Sequence, residues 1–324
     1  MPRLLRDLGE HAWIARLTGR LAARRMDRRV LVGPGDDAAV IRPGRRPIVL
    51  TTDALVEDVH FRRAWLTPSA LGRRAFAVNA SDVAAMGARP TVALLAIETP
   101  SRFRTADLDA IVGGFAAAAR RAGAVLVGGN LSSGPHLAIT VALLGEADGR
   151  VVTRAGARPG DAVYVTGALG RTGAAVRRLL AGGRGRLPPL PDRVRTGRLL
   201  ARVAHAMIDV SDGLVQDLGH VCRASGVAAD VALDDVPVSP SCRAALGADA
   251  AAFAAGAGED YELLFTVPRG REASLARQAP RLGCAMTRIG RIVRGRPAVR
   301  VDGLVQSAAG RAGFDHFRGR RSRV

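Results

Sequence analysis

The sequence contains no lysine. All 48 residues counted as Lys or Arg are arginine, so the chain lacks a P-loop lysine, a kinase strand lysine and an amine nucleophile, each of which needs an ammonium or amine on a flexible stem. Any handling of phosphate must rest on guanidinium groups, backbone N–H groups or metal ions. Aromatic residues make up only 4% of the chain, too few for an obvious base-stacking platform. Cys222, Cys242 and Cys284 are odd in number, far apart and free of CxxC spacing, which argues against a disulfide framework or a cysteine zinc site and fits a reducing compartment. No run approaches the roughly eighteen apolar residues of a membrane-spanning helix. Asp7, Glu10 and Asp27 interrupt the early arginines with no apolar segment behind them, so a secretory signal is not expected and a cytoplasmic protein is.

What the chain does have is length and apolar content. With 324 residues, 48% of them hydrophobic, it can bury a large core and divide into two domains. A net charge of +19 has two readings: a surface that neutralises nucleic-acid phosphates, or a solvated basic surface in which arginine has replaced lysine throughout. The spread of arginines along the chain and the shortage of aromatics favour the second, so neither a nucleic-acid nor a membrane partner is expected.

Leu4, Leu5, Leu8, Ala12, Ile14, Leu17 and Leu21 have roughly helical spacing, predicting an amphipathic helix over residues 3–25. A β-branched strand follows from Ile48 to Thr52. Thr67-Pro68 is an N-cap and first-turn pair for a helix from Ser69 to Met86, stopped by Gly87 and Pro90. After it come the strand "TVALLAIE", a helix near Thr105 to Ala122, and the strands "GAVLVGG" and "HLAITVALLGE". The Gly- and Arg-rich stretch from Asp148 to Asp161 reads as a boundary, giving domains at 1–148 and 149–324. The second half continues with the strand "DAVYVTG", a helix in "ALGRTGAAVRRLLA", a loop from Ala181 to Asp192, a helix near Arg193 to Ala204, a strand-turn-helix in "AMIDVSDGLVQDLGHVCRASG" and the strand "DYELLFTVP". The expected class is α+β in both halves.

Four acidic segments lie where strands or turns meet loops or helices: Asp36-Asp37 after the Gly33-Pro34-Gly35 turn, Asp53 ending "TTD", Asp82 ending "NASD", and Asp209 with Asp212 in "DVSDG". Each alone is an ordinary turn or cap residue. "NASD" stands out, because Asp82 sits in a predicted helix of small apolar residues where a carboxylate is poorly suited. Carboxylates gathered in a cleft repel one another unless cations neutralise them, and magnesium, which bridges carboxylates to phosphates, is the natural partner. The Gly-rich segments Val127 to Pro135 and Val165 to Ala174 offer close backbone approach to phosphates, the second at a helix N-terminus. Together these features point to phosphoryl transfer or ATP-dependent ligation without a P-loop.

Laid in order, "GDDAAVI", "TTDALVEDVHF", "AVNASDVAAMGARP", "GGNLSSGP", "VVTRAGARPGDAVYVTG", "MIDVSDGLVQDLGHV", "GAGEDYELLF" and "GFDHF" closely resemble the thiamine-phosphate kinases of the AIR-synthetase-like superfamily, from about Gly9 to Phe317. The resemblance implies a two-domain PurM-like α+β fold whose N-terminal sheet pairs with a second subunit in a homodimer. It implies the reaction of ATP with thiamine phosphate to give ADP and thiamine diphosphate. The family's magnesium positions fall on Asp37, Thr51, Thr52, Asp53, Asp82, Asn130, Asp209 and Asp212, with Asp36 beside them. Its nucleotide contacts correspond to Gly129, Asn130, Arg154 and Ser211, and its thiamine-phosphate contacts to His60, Glu259 and Phe314. One departure stands out: the family reads Gly-Gly-Asp where this chain has Gly128-Gly129-Asn130, exchanging a metal-facing carboxylate for a neutral amide. In an extended stretch neighbouring side chains face opposite ways, so Asp37 is the expected ligand of its pair and Asp36 lies behind it.

The acceptor is itself a phosphate, largely dianionic near neutral pH with a second pKa of about 6. Direct in-line transfer is therefore expected, with Asp209 and Asp212 central and no phosphoenzyme. The alternatives are another AIR-synthetase-like enzyme and an arginine-rich nucleic-acid-binding protein. Within the superfamily, the hydrogenase-maturation dehydratase needs a C-terminal cysteine and the selenophosphate synthetases an early Cys or selenocysteine, and this chain has neither.

Overall fold

The computed structural model describes residues 30–32, 39–41, 46–100 and 102–302. The expected opening helix, Asp36, Asp37 and Phe314 lie outside the described residues. Strands β1 (Val30–Val32), β2 (Ala39–Ile41), β3 (Ile48–Val56), β4 (Arg89–Thr99), β5 (Val125–Ser133) and β6 (Ala138–Glu146) form one sheet in the order β1-β2-β3-β6-β4-β5, antiparallel except where β4 and β5 run parallel. Alternation sets its faces. Ile139, Val141 and Leu143 of β6 are buried against helices, whereas Thr140, Ala142 and Leu144 point the other way.

The covering helices are α1 (Pro68–Ala85) and α2 (Thr105–Arg121). The Thr67 side chain accepts the Ala70 N–H at 3.2 Å and caps α1 with Pro68 in its first turn, as the sequence predicts, and Gly87 follows the helix at φ +73°. The two helices lie very close. A Cβ at Gly72 would fall 1.9 Å from the Ile111 carbonyl oxygen, and one at Gly114 2.1 Å from that of Ser69. Phe76 and Phe115 meet edge to face at 5.5 Å in the gap this leaves.

The second sheet comprises β7 (Ala162–Thr166), β8 (Ala206–Asp209), β9 (Ala228–Ala232), β10 (Leu263–Val267), β11 (Met286–Val293) and β12 (Ala298–Asp302), in the order β12-β9-β11-β7-β10-β8, with only β9 and β12 parallel. Helices α3 (Arg171–Leu180), α4 (Val194–Leu200), α5 (Leu214–Ser225), α6 (Pro240–Leu246), α7 (Ala250–Gly256) and α8 (Glu272–Leu282) complete the half. Its strands β7, β8 and β10 are buried on both faces. Met207, Leu263 and Phe265 join the core shared with α1 and α4, while Val163, Val165, Ile208 and Leu264 join a second core under α5 and α7. A Cβ at Gly197 of α4 would lie 2.0 Å from the Ala84 carbonyl oxygen, so α1 packs backbone to backbone against the second half as well as against the first sheet.

Two expected elements come out differently. "GAVLVGG" extends to Ser133, so Asn130 also lies inside edge strand β5; a Cβ at Gly129 would sit 1.8 Å from the Leu95 carbonyl oxygen. "DYELLFTVP" becomes a strand only from Leu263, because Glu259 (φ +64°) and Tyr261 (φ +52°) break the extended backbone before it.

Candidate active site

Three contacts along α1 tie it to the first sheet and to the second half. Asp82 accepts a 2.7 Å hydrogen bond from the Thr51 hydroxyl on β3, which gives this carboxylate a fixed partner in a helix interior that disfavours it. Next to it, the Ser81 hydroxyl donates to Asp209 Oδ2 at 2.6 Å, reaching the last residue of β8. Two turns earlier on the same face, buried Arg74 places Nη2 3.2 Å from Glu259 Oε1. One helix thus ties its own Asp82 to Thr51 of β3, holds Asp209 of β8 through Ser81, and pairs with Glu259 beyond them.

The turn from β8 into α5 adds more acid. Asp217 Oδ2 accepts the N–H groups of Asp212 (3.1 Å) and Gly213 (3.0 Å), and Gln216 Nε2 donates to Asp212 Oδ2 at 3.0 Å. Ligand atoms of Asp212, Asp217 and His220 all lie within 4.8 Å of one another. Burial holds the Asp217 carboxyl well above the usual range, and the charges of Asp212 and Asp209 push it further. The Tyr261 hydroxyl is likewise raised, first by burial, then by Glu259 and Asp53, against the opposing pull of Arg74, with Asp209 adding to the rise. Asp53, Asp209, Glu259 and Arg74 therefore act electrostatically on a single buried phenol. Carboxylate and hydroxyl oxygens under mutual repulsion are the donor set of a hard divalent cation, and magnesium fits it.

The segment before β10 is held by tertiary bonds. Glu259 N–H donates to the Ser211 carbonyl at 2.7 Å and Tyr261 N–H to that of Val210 at 2.8 Å. A Cβ at Gly258 would lie 2.5 Å from the Ser211 carbonyl oxygen. Between the two left-handed residues, Asp260 turns inward and accepts the Gly170 N–H at 2.6 Å, with further bonds from the backbone of Thr172 and Arg171. Burial outweighs these bonds and pushes its carboxyl up to about 7. The α3 N-terminus, where the Gly-rich pattern suggests a phosphate, is thus filled by an aspartate. Glu262 accepts both a 2.6 Å bond from Thr166 and a two-point contact from Arg193 at 2.6 and 2.8 Å. That contact anchors the end of the Pro-rich loop at 187–193, whose Leu187 N–H donates to the Trp65 carbonyl at 3.0 Å. Beneath the loop, beside α1, lies a cavity of about 260 Å³.

Of the residues singled out from sequence, Thr51, Asp53, Asp82, Asp209, Ser211, Asp212 and Glu259 come together here. His60 sits in the turn after β3, its Nδ1 accepting the Val56 N–H at 3.0 Å, which places the proton of the neutral ring on Nε2. Thr52 and Asn130 face away: Thr52 alternates with Thr51, and Asn130 pairs with Ala96 on the side of the sheet opposite α1. Within one chain they do not join the acids on α1, and Gly129 lies in the same edge strand. Arg154 lies on the link between the halves, its carbonyl accepting from Ser225 at 3.2 Å. Arg74, Ser81, Asp217, His220 and Tyr261 escaped the sequence reading.

Comparison with known proteins identifies the family. The family model for AIR synthase related protein, N-terminal domain, matches residues 35–147, and that for the C-terminal domain matches residues 158–302. The chain is 38% identical to the thiamine-monophosphate kinase of Mycobacterium tuberculosis (strain ATCC 25618 / H37Rv), over 97% of this chain and 93% of that protein. It is 36% identical to the thiamine-monophosphate kinase of Salmonella typhimurium, over 95% and 98%. A solved structure of AaThiL complexed with AMPPCP and TMP, 32% identical, matches with a TM-score of 0.84 over 98% of this chain and 99% of that one. A two-sheet fold bridged by one acid-bearing helix, matched along nearly its whole length, places the chain in the thiamine-monophosphate kinase family of AIR synthase related enzymes.

Proposed function

We propose that this chain transfers the γ-phosphoryl group of ATP directly to the phosphate of thiamine phosphate, giving ADP and thiamine diphosphate. The observation that carries this reading is the convergence of Asp53, Asp82 and Asp209 where α1 meets both sheets, held by Thr51 and Ser81. A relative bound to AMPPCP and TMP, matching over 98% of the chain, supports the choice of co-substrates. On this reading residues 1–148 carry the metal- and nucleotide-binding half and residues 149–324 close the site from the other side. Two such chains pair through the first sheet.

The chemistry needs positioning more than proton transfer. A phosphate acceptor with a second pKa of about 6 is already nucleophilic near neutral pH, so no general base is required. The bond from the γ-phosphorus to the β-γ bridging oxygen breaks as a bond forms to an acceptor phosphate oxygen, and ADP leaves with that bridging oxygen. The obstacle is bringing two polyanions together. Thr51, Asp53, Asp82, Asp209 and Asp212 would hold magnesium, which when bound supplies the positive charge that this approach needs. Gly129, Ser211 and Arg154 steady ATP, and His60 and Glu259 receive the acceptor. The bonds from Thr51 and Ser81 fix the orientation of Asp82 and Asp209 before substrate arrives.

The test is product analysis with ATP, magnesium and either thiamine phosphate or free thiamine. Thiamine diphosphate formed from the phosphate ester supports the reading; turnover with neither acceptor refutes it. Asp212→Asn should abolish transfer with the fold retained, whereas a purely structural turn acid would cost about 1 kcal/mol of stability and leave the rate intact. Trapping of a covalent phosphoenzyme with labelled ATP in the absence of acceptor would contradict direct transfer.

A further inference from the structure

The Arg74 side chain is 3% exposed, and among the described residues no group accepts a hydrogen bond from its Nε, Nη1 or Nη2. The Glu259 carboxylate at 3.2 Å supplies charge but no aligned hydrogen bond. A guanidinium carries five donors, and burying it with none of them used is costly. Arg193, another arginine lining the same cavity, shows the contrast, since Glu262 binds it at two points. Arg74 thus has donors for acceptors that the described residues do not provide.

The cavity says what those acceptors belong to. It lies between α1 and the Pro-rich loop, with walls such as Leu66, Phe76, Leu187 and Pro191. Its floor includes Ser81, which bonds Asp209 of the acid cluster. Its 260 Å³ is below the usual range for drug-sized ligands, roughly 300–1,000 Å³, so it suits one or two rings rather than a nucleoside triphosphate. A small apolar body with a phosphate at the end nearest Arg74 and Ser81 matches this shape and charge.

Resting on the function proposed above, we infer that Arg74 is a phosphate-binding residue for the acceptor, holding the thiamine phosphate monoester at the Arg74–Ser81 end of this cavity, beside the acid cluster. The guanidinium nitrogens are shielded from solvent in this structure, so a small shift of the side chain presents them to two phosphate oxygens while Glu259 keeps the charge in place. In a chain without lysine, this buried arginine does the work that an ammonium would otherwise share.

The experiment compares wild type, Arg74→Lys and Arg74→Met, titrating each with thiamine phosphate, with free thiamine and with AMPPCP by calorimetry in magnesium buffer. Wild type should prefer thiamine phosphate over thiamine. Arg74→Met should weaken thiamine phosphate by about 10- to 100-fold, the range of a lost charged hydrogen bond, leaving thiamine and AMPPCP within about threefold. Arg74→Lys should recover part of the loss. Without ligand, the Tm of Arg74→Met should equal or exceed that of wild type, because an unsatisfied buried cation has been removed and Glu259 stays partly solvated. Equal loss of all three ligands, or a marked fall in Tm, would make Arg74 structural and overturn the inference. Undiminished preference for thiamine phosphate in Arg74→Met would overturn it too. If wild type forms thiamine diphosphate while Arg74→Met keeps its preference, only this inference fails; if wild type neither binds nor phosphorylates thiamine phosphate, the functional reading fails with it.

Discussion

Asp260 sets burial directly against hydrogen bonding. Three backbone N–H groups of α3 favour its anion, yet burial prevails and its pKa rises to about 7 from 3.8. The sign of the linkage follows. Below pH 4 the folded and unfolded chains both hold this proton; between pH 4 and 7 the unfolded chain releases it and the folded chain keeps it, so stability falls as pH rises. Above 7 the contribution is flat, with a total on the order of 4 kcal/mol lost across the window. Asp260→Asn keeps an oxygen for the Gly170 N–H and should flatten that window in urea unfolding at a series of pH values. An unchanged slope would assign the proton elsewhere. Asp217 permits a similar test: Asp217→Ala strands the Asp212 and Gly213 N–H groups and should cost about 1–3 kcal/mol, while Asp217→Asn can still accept them and should cost less. At this scale the sequence reveals acids in turns far better than it reveals their supports. Asp53, Asp82 and Asp209 stand out by composition and place, but Arg74 looks like any arginine on a solvated helix face until its burial is seen.

Among the elements, α1 governs the site, and much of it is legible because its ends are written locally in Thr67-Pro68 and Gly87. The bend at Glu259 and Tyr261 is not legible. Neither residue type favours a left-handed backbone, and both are held there by carbonyls of Ser211 and Val210 some fifty residues earlier in the chain. The reason for the glycines of β5 is equally hidden from the sequence: the space beside Leu95 demands that Gly129 have no side chain. Close packing along α1 yields a sharp contrast between two glycine substitutions. Gly197→Ala drives a methyl group to 2.0 Å from the Ala84 carbonyl oxygen, where only backbone could give way, and should destabilise by about 1–3 kcal/mol. Gly113→Ala, on α2 with no atom within 4 Å of the added carbon, should be neutral or gain up to about 1 kcal/mol. Urea unfolding of both variants checks the pair, and equal effects would mean that α4 does not press on α1 as described.

At the scale of the whole molecule, the first sheet covers one face with α1 and α2, and among the described residues no helix covers the other. Leu94 and Val125 are 44% and 53% exposed on that face, in register with Val92, Ala96, Ala142 and Leu144. An apolar strip of this kind on a sheet is the surface expected to be covered by a partner, and a second copy of the chain, proposed above, is the simplest cover. Thr52 and Asn130 share this face, so pairing would bring both to the joint between subunits. A chain of net charge +19 repels its own copy, so apolar contact must overcome that repulsion and added salt should tighten association. Sedimentation should find wild type as a dimer, strengthened between about 50 and 300 mM salt as the screening length shortens. Leu94→Glu places a charge in the strip and should shift the protein to monomer, while Leu180→Glu, at an exposed position on α3, should leave the dimer intact. A dimer that withstands Leu94→Glu would move the contact to another surface and free Asn130 from the joint.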